Sequence, residues 1–454
     1  MDLKELLWNI NIWWEKKEAI NHLVEPFERT ELEKVNKDIE FHRITSIIGP
    51  RRTGKTTLLF QCIKKLIDSG TEPKNILFIS LDNSTLKLLS KDVLEDVFNV
   101  YFEQILFQKP AELEKKVYIF LDEVQKIEGW AEWIKNKYDF FKKIKFIISG
   151  SSALKILGRT RETLVGRTST ILLFPLTFNQ FLKLSGVEAP LLFKENMNAD
   201  LIRREYELLK KDELKIKKLL NEYILAGGFI EWFKIKDIYK WHSYLQEDIL
   251  DKLLLGDIIA EYDIRDKEGL KRIVQVLSKS KGNLFSMHSL SKEALVGKDV
   301  IEQYISILKD GFIIYSLENY SQHIGVVLRK NKKINLIDVG LVNSIRRLDK
   351  FSKEEFGIIL EMAVQQHVFY YSKINNFESY FYRDQESREV DVVLVTDKNK
   401  IPIEVKSGDL RSAEGVYFFM EKFKSKFGII LTEKELLFEK NIFKIPYWFF
   451  LATI

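Results

Sequence analysis

The chain has 454 residues, too many for one hydrophobic core, so two to four domains are expected. Hydrophobic residues make up 46% and charged ones 30%, the balance of a soluble globular protein, and no apolar run approaches the ~18 residues of a membrane span. Lysine and arginine number 71 against 66 acids; a net charge of +5 does not by itself announce a nucleic-acid binder, which needs a local patch. The one cysteine, Cys62, excludes an intrachain disulfide and a cysteine zinc site. With no signal-peptide order at the start, a cytoplasmic setting is expected.

The first stretch carries Leu6, Leu7, Ile10, Ile12, Trp13 and Trp14 as a short amphipathic segment, expected to pack on the domain that follows. Residues 15–40 are charged and read as mostly helical. At 44–48 a β-branched run reads as a strand, and a helix is expected over 57–67. Between them, Gly49, Pro50, Arg51, Arg52, Thr53, Gly54, Lys55 and Thr56 fit the phosphate-loop pattern G-x-x-x-x-G-K-[ST], with Thr57 opening the helix. In that context backbone N–H groups and the helix N-terminus face phosphates. Lys55 is expected to reach the β and γ phosphates of ATP, and the Thr56 hydroxyl to sit on Mg²⁺. Further buried strands are expected at 75–82, 117–123 and 145–152. The second of these ends in Asp122 and Glu123, read as the Mg²⁺ carboxylate and the residue that polarises the attacking water. The third ends in hydroxyls, of which Ser149 or Ser151 can sense the γ phosphate; a helix-capping role is the alternative for Ser151 and Ser152. Arg159, Arg161 and Arg167 follow as candidates for an arginine finger.

Four segments, GPRRTGKTTLL at 49–59, FLDEVQKIEGW at 120–130, ISGSSALKIL at 148–157 and LVGRTSTILLFPLTFNQFL at 164–182, together resemble a family of bacterial and archaeal AAA+-like ATPases. NEYILAGGFIEW at 221–232, KINLIDVGLVNSI at 333–345 and REVDVVLVTDKNKIPIEVKSG at 388–408 resemble markers of an uncharacterised domain that commonly follows this ATPase. The resemblance runs from about residue 40 onward. It implies an ATPase, a winged-helix portion and a C-terminal domain like the PD-(D/E)xK nucleases, without a settled activity. Arg167 matches the arginine that closes the family's LVGR segment, which makes it the preferred transition-state contact.

Residues 191–265 read as a helical connector, with Leu208 to Leu220 amphipathic, a turn or tight packing point at Gly227 and Gly228, and Phe229, Trp232 and Phe233 as anchors. Helix-spaced apolar residues at 270–277 and 301–308, a shorter helix at 286–295, and strands at 311–315, 325–328 and 334–337 read as a winged helix within 266–345. Its recognition helix would be 298–309, beginning at Lys298, and its wing would carry Arg329, Lys330, Lys332 and Lys333 to DNA phosphates. The mixed charge of that helix, with Asp299 and Glu302 among its lysines, also suits a plain packing module.

Residues 346–454 hold the second chemical signal. Asp391 lies on one strand, and Glu404 and Lys406 share a face of the next, so the two acids converge across a hairpin. Two carboxylates can hold Mg²⁺, a lysine can position water for attack on a phosphodiester, and Glu361 can complete the site from an upstream helix. The resemblance matches its D…ExK set to Asp391, Glu404 and Lys406. A helix over 416–427, a strand over 428–432 and a last aromatic strand over 445–451 are expected. The expected whole is an α/β multidomain chain: a P-loop ATPase parallel sheet (1–190), a helical connector (191–265), a winged helix (266–345) and a restriction-endonuclease-like α/β domain (346–454). ATP, Mg²⁺, DNA and further copies of the chain through the ATPase domain are its expected partners. The alternative is a nucleotide-controlled scaffold whose nuclease-like domain is silent and binds a protein.

Overall fold

The computed structural model describes all residues except 152–161, 195–196, 260–261, 263, 281–283, 323–330 and 407–412. Two compact units divide the chain, Met1–Phe174 and Pro175–Ile454. Residues 175–190, expected with the ATPase, therefore lie in the second unit.

The first unit is built on five parallel strands, β1 (Ile44–Ile48), β2 (Ile76–Ser80), β3 (Val117–Asp122), β4 (Ile144–Gly150) and β5 (Thr168–Leu172). Their order is β2-β3-β4-β1-β5. β1 to β4 are buried along nearly their whole length, as a parallel sheet covered on both faces requires, whereas the edge strand β5, TSTIL, is only partly buried. β4 separates the strand leading into the phosphate loop from the strand ending in Asp122. Consequently the C-terminal ends of β1, β4 and β3 lie side by side, and Gly49, Ser149 and Asp122 meet at one edge. Trp13 and Trp14, both buried, each donate an indole N–H to the Ile76 carbonyl, which ties the N-terminal segment to β2 as its composition predicts.

The second unit holds a nine-stranded sheet of order β13-β14-β12-β11-β10-β9-β7-β8-β6. Its strands are β6 (Leu284–Phe285), β7 (Ile314–Asn319), β8 (Lys332–Leu336), β9 (Glu378–Arg383), β10 (Glu389–Val395), β11 (Lys400–Val405), β12 (Gly428–Thr432), β13 (Leu437–Glu439) and β14 (Ile442–Pro446). The helices Lys267–Lys279, Met287–Ala294 and Lys298–Asp310 precede the ribbon of β7 and β8, and β7 joins β9 in parallel, so one sheet runs through both halves of the unit. The long helix Lys353–Ile374 leads into the antiparallel β9-β10-β11, then the helix Glu414–Phe423, then β12 parallel to β11.

The last segment corrects an expectation. Tyr447–Thr453 is a helix, not a strand. Pro446 at its N-cap has no N–H with which to extend the ladder beyond β14, and the aromatic run then buries Trp448, Phe449 and Phe450 from a helix. Gly227 has φ +79, and a Cβ there would lie 1.9 Å from an Asp338 carboxylate oxygen, so the tight packing point expected at Gly227-Gly228 is real.

Candidate functional site

The phosphate loop begins where β1 ends. Gly49 is fixed by packing, since a Cβ would lie 2.0 Å from the Leu173 carbonyl oxygen, and Gly54 is left-handed at φ +88 just before the helix Lys55–Asp68. The Lys55 ammonium donates to the carbonyls of Gly49 (3.1 Å) and Pro50 (2.9 Å) and lies 3.9 Å from Glu123. Thr56 Oγ1 donates to Asp122 Oδ2 at 2.7 Å, and the Ser149 hydroxyl donates to the other oxygen of Asp122. Burial, and then the charge of Glu123, push the Asp122 carboxyl above its ordinary pKa, against the pull of the Ser149 and Thr56 hydrogen bonds.

Glu123 is left-handed at φ 56, outside the helix and strand basins. Its carboxylate accepts from the Gln125 amide and, at 3.2 Å, from the Ser151 hydroxyl, and Gln125 also donates to Ser151 at 3.1 Å. Of the two hydroxyls proposed from the strand end, Ser149 therefore meets Asp122 and Ser151 meets Glu123. Gln125 was not singled out from sequence; its place two residues past the acid pair is the only signal there. Arg29 was also missed. Buried, it donates to the Thr53 carbonyl inside the loop at 3.1 Å and pairs with Glu31 at 3.2 Å.

Arg167 does not join this group. It precedes β5, whose Thr168 lies beside Ile44 at the start of β1, so it stands at the sheet edge opposite the loop. Four residue steps of ~3.3 Å put about 13 Å of strand between the two edges. Arg167 there forms a two-pronged pair with Asp139 at 2.8 and 3.0 Å. This placement does not bring Arg167 to the phosphate loop of its own chain. Arg159, Arg161 and Ser152 lie outside the described residues.

In the second unit the β10-β11 register pairs Val392 with Ile403, and one step further sets Asp391 opposite Glu404. Asp391 Oδ2 accepts the Val405 N–H at 2.8 Å, and Lys406 donates to Glu404 Oε1 at 2.7 Å. Glu404 Oε2 is buried and finds no hydrogen-bond partner among the described residues. Glu361 comes from the helix Lys353–Ile374 and accepts from Gln365 at 2.9 Å; Gln365 donates also to the Asp391 carbonyl at 3.2 Å. Burial raises the pKa of Asp391, and the charges of Glu361 and Glu404 raise it further. Glu404 is raised by burial, against the pull of Lys406.

Two expectations for this region change. Lys333, expected on a solvent-facing wing, is 2% exposed. Its ammonium lies 3.0 Å from Glu361, 2.8 Å from Glu389 and 4.0 Å from Asp391, because strand alternation turns it toward the acids. And among the described residues no group of three or more His, Cys, Asp or Glu side chains is placed to hold a metal ion. Glu361, expected to complete a three-carboxylate set with Asp391 and Glu404, is instead engaged with Lys333 and Gln365. Lys332 pairs with Glu318 at 2.8 Å, and Lys298 is exposed at the start of its helix. Arg329 and Lys330 lie outside the described residues.

The phosphate loop, the strand order and the Asp122 placement define the first unit as an AAA+-like P-loop ATPase domain, and residues 41–182 match the family described as AAA domain. Residues 217–352 and 356–450 match two domains of unknown function, DUF8612 and DUF4143. The chain is 26% identical over 438 residues to the uncharacterized protein MJ1637 of Methanocaldococcus jannaschii, covering 93% of this chain and 88% of that one. It is also 26% identical over 310 residues to an uncharacterized protein of Haemophilus influenzae, covering 67% of this chain and 69% of that one. Among solved structures it is similar to the Walker-type ATPase PABY2304 of Pyrococcus abyssi, with a TM-score of 0.42 and 15% identity over 70% of this chain and 96% of that one. Among the described residues no helix is long and apolar enough to cross a membrane.

Proposed function

We propose that the chain hydrolyses ATP with its first unit and acts on DNA with its second. The observation that carries the first part is the convergence of Lys55, Thr56, Asp122, Glu123 and Ser149 at one sheet edge. Lys55 exchanges its loop carbonyls for the β and γ phosphates, which the loop N–H groups and the helix N-terminus also bind. The Thr56 hydroxyl and Asp122 carboxylate are adjacent hard oxygen donors, a pair that suits Mg²⁺ shared with phosphates and water. Bound there, Mg²⁺ would neutralise charge on the transferring phosphoryl group. Glu123 orients the attacking water and takes its proton, and Ser149 holds Asp122 in place.

For the second unit, the helix Lys353–Ile374, the meander β9-β10-β11, the helix Glu414–Phe423 and the parallel β12 support a restriction-endonuclease-like reading. The unsatisfied Glu404 oxygen beside Asp391 suits a Mg²⁺ that keeps several waters and takes one or two carboxylates. Such an ion would stabilise charge on a phosphodiester, while Lys406 positions the attacking water. The three helices before β7 and β8 support a winged-helix reading, with DNA met by Lys298 and the basic turn. Since Lys333 is buried and Lys332 paired, the cations of the basic run 329–333 left for phosphates are Arg329 and Lys330. Replacing both by alanine should shrink the slope of log K against log salt by up to about 2. Filter binding at several salt concentrations measures it, and an unchanged slope removes the wing from the DNA surface.

Arg167, at the far sheet edge, is left to act on a neighbouring copy. Arg167→Ala should leave turnover per chain unchanged at dilution and lower it only at concentrations where copies associate. Turnover measured against protein concentration decides; a loss already present in the monomer excludes the role in trans.

The test of the whole reading is incubation with linear, single-stranded and four-way DNA in Mg²⁺ or Mn²⁺, with and without ATP. Retention of DNA and stimulation of ATP turnover are expected. If no DNA form is bound, the second reading takes over: a nucleotide-controlled scaffold for a protein partner. It is favoured by one observation, that Lys332 and Lys333 are both spent on carboxylates of their own chain.

A further inference from the structure

The acid site of the second unit already contains a cation, and it comes from outside the elements that bear the acids. Lys333 lies on β8, with Asn335 two residues on and on the same face. Both reach the helix Lys353–Ile374, Lys333 at Glu361 (3.0 Å) and Asn335 at Gln365 (3.1 Å). Gln365 in turn donates to Glu361 and to the Asp391 carbonyl, so a chain of buried polar contacts links β8 to β10. The Lys333 side chain is 3% exposed, whereas Glu361 and Glu389 keep 36% and 34%, so the cluster meets solvent through its acids and not through its lysine. Burial pulls the lysine toward its neutral form, but the charges of Glu361, Asp391 and Glu389 outweigh that pull and hold it protonated.

A buried ammonium among three carboxylates supplies what a bound metal ion would supply there, a positive charge at the point where acids meet. Its repulsion falls off with distance, so a second cation is least opposed on the side turned away from it. Asp391 turns Oδ1 toward the lysine, at 4.0 Å, and Oδ2 to the Val405 N–H, while Glu404, with its unsatisfied Oε2, is not among the acids within 4.0 Å of Lys333.

We propose that Lys333 is the resident cation of this site: it holds Glu361, Glu389 and Asp391 together with no metal bound, and it confines a divalent ion to the Asp391–Glu404 side. Lys333 is thereby a positioning residue. Only the location of the divalent ion rests on the nuclease-like reading above; the role of Lys333 does not.

The test compares full-length wild type, Lys333→Met and Lys333→Arg, stripped of metal and free of nucleotide. Mn²⁺ uptake is followed by calorimetry and melting temperature by fluorescence. Lys333→Met should melt below wild type without metal, take up one more Mn²⁺ per chain, and gain more in melting temperature from Mn²⁺ than wild type does. Lys333→Arg, which keeps the charge, should follow wild type. A Lys333→Met protein that takes up no additional Mn²⁺ and recovers none of its lost melting temperature overturns the proposal. If wild type binds no Mn²⁺ in this unit while Lys333→Met does, the Asp391–Glu404 ion is lost and the role of Lys333 stands. Should Lys333→Met be too unstable to purify, Lys333→Met with Glu389→Gln leaves one fewer uncompensated charge and is judged by the same criterion.

Discussion

Replacing Glu123 by glutamine should lower ATP turnover by about 10²–10⁴-fold, the range that a general base contributes, while leaving nucleotide affinity nearly intact. The asymmetry follows from the geometry. Binding draws on the loop N–H groups, Lys55, and the Thr56–Asp122 pair 2.7 Å apart, all of which remain in the variant; losing the Glu123 charge also frees Lys55 from an acid 3.9 Å away and removes a repulsion on Asp122. Glutamine keeps the shape and still accepts from Gln125 and Ser151, but it cannot take a proton from water. Lys55→Ala is the complementary variant and should lose affinity first. Steady-state turnover beside equilibrium binding of a fluorescent ATP analogue separates the two, and equal turnover in wild type and Glu123→Gln removes Glu123 from the chemistry. The left-handed backbone at Glu123 belongs to the same argument, because strained residues persist where the surroundings over-determine them.

The second large effect is expected at the acid site. Asp391→Asn should lose both the divalent ion and any DNA cleavage, since an amide donates no negative charge to the ion. The fold should survive it: the amide oxygen can still accept the Val405 N–H, and the substitution relieves repulsion from Glu361 and Glu404. Lys406→Ala should keep the ion and lose cleavage by about 10²-fold or more, the lower end of what a positioned proton-transfer group contributes. Neither change should alter ATP hydrolysis in the absence of DNA. Calorimetry with Mn²⁺ beside a cleavage assay on linear DNA reads all of this. An ion that binds without any cleavage leaves the metal reading standing and ends the nuclease claim. Cleavage that survives Lys406→Ala assigns the water to another group.

How much of this was legible in advance differs between the two sites. At the nucleotide site the chemistry is local in sequence. A β-branched strand, the glycine loop and a helix follow one another directly, so residues 44–67 announce a phosphate site by themselves. Asp122 and Glu123 were legible for the same reason, since a buried strand ending in two acids is a local pattern. Gln125 and Arg29 were not, because Gln125 sits in a single 3-10 turn, Val124–Lys126, and Arg29 in a connection, and no periodicity encodes where either side chain points.

Sequence alone therefore determined the strand–loop–helix unit, the acid pair, the buried N-terminal tryptophans and the convergence of Asp391 with Glu404, which strand alternation and hairpin pairing dictate. Only the tertiary structure decided which end of the sheet a residue occupies. The resemblance makes Arg167 the preferred transition-state contact without saying whether it serves its own chain or a neighbour's, and parallel pairing puts it, at the start of β5, beside the start of β1 and away from the loop. Only the tertiary structure decided the fate of Lys333 as well. Within a run of basic residues it reads as a solvent-facing phosphate contact. Its actual environment is set by a helix that starts at Lys353 and a strand that starts at Glu389, neither of them near it in sequence. A charged side chain is stable in the interior only where it is paired or hydrogen-bonded, and for Lys333 the partners are carboxylates distant in sequence, whose convergence is a property of the packed chain.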